Sequence, residues 1–202
     1  MKIASIITNY KNISILILFK GAVSFIATLL PFNFLRVFFL NLIPGFKIKK
    51  SKVGNFNFFF SKTIKINNSK IGNFNFFLVE SIDCKNHSII GSRNEIFSKV
   101  NESYMSLNKS QISFNSFFNL SKITMFGENV VFGGMNCKIL TDEKCKEKTN
   151  LGKNIFIGSN SIIKSGIYIN NNIVIGAGSI ILNSIETSGL YYSKKLNKYE
   201  IK

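Results

Sequence analysis

The sequence predicts an all-β chain wound as a parallel β-helix of triangular coils, preceded by N-terminal α-helices. Three observations carry that prediction. Aliphatic residues recur every six positions from Leu151 to Glu186. An eighteen-residue segment at 53–70 is followed directly by a near copy at 71–88. The apolar stretch before residue 45 lacks this period and stops at Pro44-Gly45.

Written in sixes, residues 151–186 read LGKNIF, IGSNSI, IKSGIY, INNNIV, IGAGSI, ILNSIE. Position one is Leu151, Ile157, Ile163, Ile169, Ile175 and Ile181; position five is Ile155, Ser161, Ile167, Ile173, Ser179 and Ile185. A helical period of 3.6 cannot produce this, and hairpins would need irregularly spaced turn signals. Positions five and one lie two apart, so both face inward on a short strand. Gly or Asn at position two (Gly152, Gly158, Asn170, Gly176) is expected to relieve the bend. The period runs through all six units without a slip.

Three bends of six close a triangle of eighteen residues, and the tandem copy tests this independently. VGNFNFFFSKTIKINNSK and IGNFNFFLVESIDCKNHS agree at Gly, Asn, Phe, Asn, Phe, Phe, Ile and Asn. Stacked coils place Asn55 under Asn73, Asn57 under Asn75 and Phe56 under Phe74, so that amides hydrogen-bond along the stack. The register is looser from Ile89 to Leu140, and residues 46–140 are read as about five coils. A polar loop, 141–150, precedes two regular coils. The β-helix is assigned to 46–186, with a basic tail at 187–202.

Residues 13–43 are mostly apolar, but Lys20, Pro31 and Arg36 argue against a membrane span. Two helices are expected, one over about 3–29 and one from Pro31 to Pro44-Gly45. In the second, Phe34, Leu35, Phe38, Phe39, Leu42 and Ile43 share one broad face. That face either caps the open end of the domain or anchors residues 1–45 at a membrane surface.

The chain has 202 residues, 46% of them hydrophobic, and a formal net charge of +16. This suits one folded domain with a real core. Residues 1–79 hold ten lysines and Arg36 but no acid; Glu80 is the first. Such a third suits an anionic membrane face. No helix-turn-helix, zinc-finger or RNA-binding signature points to nucleic acid. Cys84, Cys137 and Cys145 give no disulfide framework, which fits a reducing cytosol. A single histidine, His87, excludes a zinc site of three histidines from one chain.

The segment IFIGSNSIIKSGIYINNNIVIGAGSII, at 155–181, resembles the C-terminal coils of hexapeptide-repeat acyltransferases, in particular the branch that O-acetylates sugars of bacterial surface polysaccharides. The resemblance implies a left-handed β-helix, a homotrimer, and acetyl-CoA as acyl donor bound between neighbouring chains, with no metal. The acceptor it implies is a saccharide or lipid-linked saccharide, met in the cytoplasm or at the inner face of the cell membrane. It implies a histidine as general base and backbone N–H groups for the oxyanion. Where relatives place that histidine, this chain has Asp142, in Ile139-Leu140-Thr141-Asp142-Glu143. His87, at an expected turn in CKNHSIIG, is the one imidazole available as base. On the cofactor side the resemblance points to Gly158, Ser159, Gly176, Ala177 and Ser179, with Lys194 and Lys195 for the CoA phosphate. The alternative is a β-helix trimer that has lost its base and serves as a scaffold. The carbonic-anhydrase branch of the same fold fails on histidine count.

Overall fold

The computed structural model describes residues 14–98, 103–120, 123–140 and 147–192. Two helices precede a left-handed parallel β-helix of seven coils. Its three sheets, A, B and C, hold seven, eight and seven strands, and every strand pair is parallel. Sheet A starts at Phe46–Lys49, sheet B at Lys52–Val53 and sheet C at Phe58–Phe60. The chain visits A, B and C in turn.

The eighteen-residue step holds where the sequence repeats most closely. Ile64 pairs with Ile82, Val53 with Ile71, and Phe59 with Phe77. The Asn and Phe ladders form as expected. Asn73 Oδ1 accepts from the Asn55 N–H at 2.8 Å, and Asn75 Nδ2 donates to Asn57 Oδ1 at 3.0 Å. The Phe56 and Phe74 rings stack at 4.8 Å with planes 4° apart. In the middle coils the step lengthens: Ser81 pairs with Tyr104 and Thr124 with Thr149. Bulges fall between Ser106 and Asn108 and between Ile112 and Phe114.

The structure corrects the sequence reading at four points. The left-handed bend residue is position four of the first five units, not position two: Asn154, Asn160, Gly166, Asn172 and Gly178 have φ from 55° to 81°. Asn and Gly tolerate this region best. Position two is glycine because the next coil lies too close; a Cβ on Gly158 would come within 2.5 Å of the Ala177 amide nitrogen. The last unit does slip. Ile185 bridges to Ile169 instead of stacking over Ile167, and Leu182 is left exposed. The β-helix also runs past Glu186, because Gly189–Tyr191 adds an eighth strand to sheet B. At the other insertion, Thr149 and Asn150 belong to a strand, so the loop before it ends sooner.

The helices differ more. Helix α1 is Ile15–Thr28 and α2 is Asn33–Asn41, two residues later than Pro31 would start it. The part of the first expected helix before Ser14 lies outside the described residues. Their inward faces are polar or small: Lys20, Gly21, Ser24, Ala27 and Thr28 on α1, Arg36 and Leu40 on α2. The first coil explains why. An edge strand presents unpaired N–H and C=O groups that must be satisfied. Asn41 pairs with both backbone groups of Ile48 on sheet A (3.0 and 2.7 Å). Asn33 accepts from Val53 N–H and donates to Ser51 O on sheet B (2.9 and 3.2 Å). Arg36 Nε adds a bond to Val53 O at 2.7 Å. On sheet C, Thr28 exchanges bonds with Asn57 and Ser24 accepts from Phe59 N–H. Lys20 Nζ donates to Pro44 O and Lys62 O, and its burial pushes its pKa down. The side chains thus replace a missing coil. Of the two alternatives for the apolar face of α2, packing on the open end is not what it does: Phe34, Phe38, Phe39 and Leu42 are exposed, and only Ile43 of that set is buried.

Among the described residues no helix is long and apolar enough to cross a membrane.

Candidate functional site: the corner between sheets B and C

Each corner of the column is a line of bend residues stacked coil on coil. At the B-to-C corner that line runs Phe56, Phe74, Arg93, Asn115, Asn136, Asn160 and Gly178, all with positive φ. Asn115 Nδ2 donates to Asn136 Oδ1 at 2.7 Å, and Asn136 Nδ2 to Asn160 Oδ1 at 3.1 Å.

At its C-terminal end this corner is built from small residues. Gly158 N–H donates to Ile175 O, Asn160 N–H to Met135 O, Gly176 N–H to Tyr191 O and Gly178 N–H to Ser159 O, at 2.7–2.9 Å. The N–H groups of Ser159 and Ala177, between them, have no acceptor among the described residues. They lie one coil apart on the same edge, and Ala177 is exposed. Two unengaged amides on one edge suit an anion or a developing oxyanion. Beneath them, Ser159 Oγ is tied to Gly133 O (3.1 Å), Ser161 Oγ to Gly176 O (3.2 Å) and Cys137 Sγ to Gly158 O (3.4 Å). Burial pushes the Cys137 thiol pKa up, which keeps it protonated and inert.

The same corner borders a hollow of about 650 Å³ on the outer face of sheet C. Parallel register places Glu95, Phe117, Lys138 and Ile162 side by side along its floor. Asn115, Asn136 and Asn160 form one wall with Arg93, and Leu140 lies at the rim. Helix α1 covers the same face over the first coils, where Phe25 stacks on Phe58 at 4.2 Å, so the hollow opens where the helix stops. Amides, a guanidinium, a carboxylate and an aromatic face in one trough suit a polyhydroxylated ligand.

Of the residues singled out from sequence, Gly158, Ser159, Gly176 and Ala177 meet at this corner. Ser179 does not offer its side chain: it occupies position five, points into the column and is 1% exposed. Tyr192 stands beside Gly176, and Lys194 and Lys195 follow it outside the described residues. Asp142 also lies outside them, two positions after Leu140.

His87 is elsewhere. It sits at the A-to-B corner of the third coil, exposed, with φ 65°; Asn68 Nδ2 donates to its Nε2 at 3.0 Å. Gly158 and Gly176 belong to the sixth and seventh coils, so His87 is roughly 14–19 Å from them along the axis at one strand spacing per coil. A threefold axis parallel to the column would keep that axial gap between neighbouring chains.

Sequence reasoning missed Arg93, Glu95, Phe117, Lys138 and the Asn115–Asn136–Asn160 ladder. They fall where insertions break the six-residue step, so their common column is invisible until the strands are paired.

Gly158→Val is expected to displace the Ala177 amide, since even a Cβ there overlaps it. Overpacking of this kind costs about 1–3 kcal/mol. Thermal denaturation should show the loss, and Ala177→Val, on an open edge, should show little.

Comparison with known proteins found no matching family model and no matching curated protein. The class that fold and site define is a left-handed parallel β-helix protein with a helical cap and a polar trough beside a glycine-rich corner.

Proposed function

We propose that the chain is an O-acyltransferase that moves an acetyl group from acetyl-CoA to a saccharide hydroxyl. The observation that carries this reading is the pair of unengaged amides, Ser159 and Ala177, at the edge of a trough lined with sugar-compatible groups. The thioester carbonyl lies against the two N–H groups and the acceptor lies in the trough. A carboxylate or imidazole takes the hydroxyl proton as the oxygen attacks the carbonyl carbon. The tetrahedral oxyanion is held by the amides; it collapses, the C–S bond breaks, and the CoA thiolate leaves and is protonated. Asp142 is the base in this scheme, because the chain enters its segment from Leu140 on the trough's rim. The lysines after Tyr192 meet the CoA phosphates. Three chains packed side by side close the trough, as in the family the repeats resemble.

A scaffold without catalysis is the second reading, and the position of His87 favours it: no imidazole among the described residues lies near the trough. Acetyl-CoA separates the two. At a hundredfold excess over Kd, a ligand that binds the native state raises the melting temperature of a domain this size by about 5–10 °C. That shift, with free thiol released when a saccharide acceptor is added, is the expected result. A flat melting curve at millimolar acetyl-CoA would sink the enzyme and leave the scaffold.

A further inference from the structure

The helical cap is amphipathic in the wrong sense for a buried element. Its polar side chains are used up on the backbone of the first coil. Leu40, Val23 and Val37 pack on the core, but many of its larger apolar side chains are left outside. On α1, Ile15 is 85% exposed and Ile26 65%; on α2, Phe34 is 67% exposed and Phe38 57%. Between the helices runs an apolar hollow of about 490 Å³, lined by Leu16, Phe19, Ile26, Phe39 and Leu42. Apolar surface on this scale marks a binding face.

Charge says what covers it. Lys50 and Lys52 share one hollow with Phe34 and Phe38. The same two lysines share a second hollow, of about 280 Å³, with Lys70, Asn68 and His87. Cations therefore begin where the phenylalanines end. No acid occurs before Glu80, so nothing in residues 1–79 neutralises them. A second copy of this surface would bring lysines against lysines. An anionic bilayer offers hydrocarbon to the rings and phosphates to the ammonium groups.

We infer that the capped end of the β-helix docks on an anionic lipid surface. Phe34, Phe38, Phe19 and Ile26 enter the boundary between headgroups and acyl chains. Lys50, Lys52 and Lys70 lie at the level of the phosphates. The inference stands on the cap alone and does not depend on acyl transfer.

The test is co-sedimentation of the full chain with vesicles of phosphatidylglycerol and of phosphatidylcholine. Binding to the first, little to the second, and release by high salt are expected. Each lysine near an anionic surface is worth about fivefold in partitioning, so Lys50→Asn with Lys52→Thr should weaken binding by an order of magnitude or more. Asparagine is chosen because Lys50 has φ 48°. Phe34→Ser with Phe38→Ser should weaken binding at every salt concentration. Both pairs are exposed, and circular dichroism checks that the fold is kept. No sedimentation with phosphatidylglycerol overturns the inference. So does binding that neither double variant alters. A change of oligomeric state in Phe34→Ser/Phe38→Ser, without vesicle binding by the parent, would instead assign the face to a second copy.

Discussion

Phe77→Ala is expected to cost about 3–5 kcal/mol of stability, read as a lower urea midpoint with an unchanged slope. Phe77 is wholly buried on the second strand of sheet C. Its ring stacks on Phe59 at 4.9 Å with planes 10° apart, and its parallel partner on the other side is Ile96. Each coil touches only the coils above and below it, so no distant element can collapse into the void. The outer stack is the control. Phe74 is 55% exposed and lies against Phe56 alone. Phe74→Asn keeps a residue suited to its φ of 58° and should cost no more than about 1 kcal/mol. Equal losses at the two sites would mean that the column is not held by its interior.

The second large effect concerns chemistry. If the chain transfers acyl groups, Asp142→Asn is expected to lower turnover by about 10²–10⁴, the range for loss of a general base. His87→Ala should leave turnover near that of the parent, since its ring is bonded to Asn68 three or more coils from the Ser159–Ala177 edge. Steady-state kinetics with acetyl-CoA and a saccharide acceptor decide between them. The opposite pattern, with His87 essential and Asp142 dispensable, would require the acyl group to sit at the A-to-B corner among Lys50, Lys52 and Lys70.

How far the sequence could be read follows from what each rule measures. The six-residue aliphatic period reports which side chains face the interior, so Leu151, Ile155, Ile157, Ile163, Ile167, Ile169, Ile173 and Ile175 were legible and are buried. The copy at 53–88 fixed the coil length, because identical residues eighteen apart stack on one another. The bend was misplaced because positions two and four are both small. Composition cannot distinguish a residue chosen for its φ, such as Asn154, from one chosen for a close neighbour, such as Gly158. The slip at Ile185 was hidden because its aliphatic spacing is regular. No complete coil lies above it among the described residues to enforce the register.

The two helices were legible, but the face they turn inward was not. Amphipathic reasoning assumes that whatever lies beneath a helix is greasy. Here it is the raw end of three sheets, so Asn33, Asn41, Ser24 and Thr28 face in while Phe34, Phe38 and Phe39 face out. The trough was only partly legible. Its glycine-rich edge lies in the regular coils. Its floor lies in coils lengthened by extra residues, where Glu95, Phe117 and Lys138 share no fixed spacing.

Those extra residues have a consequence of their own. All three lengthened connections, after Phe97, Asn119 and Leu140, leave sheet C on the way to sheet A. The other two corners carry amide ladders, such as Asn129–Asn154–Asn172, which tie each coil to the next. One edge of the prism therefore takes the long insertions, while the A-to-B corner takes a single extra residue between Cys84 and Ile89. New ligand contacts can arise at the C-to-A edge without disturbing the stack that supports them.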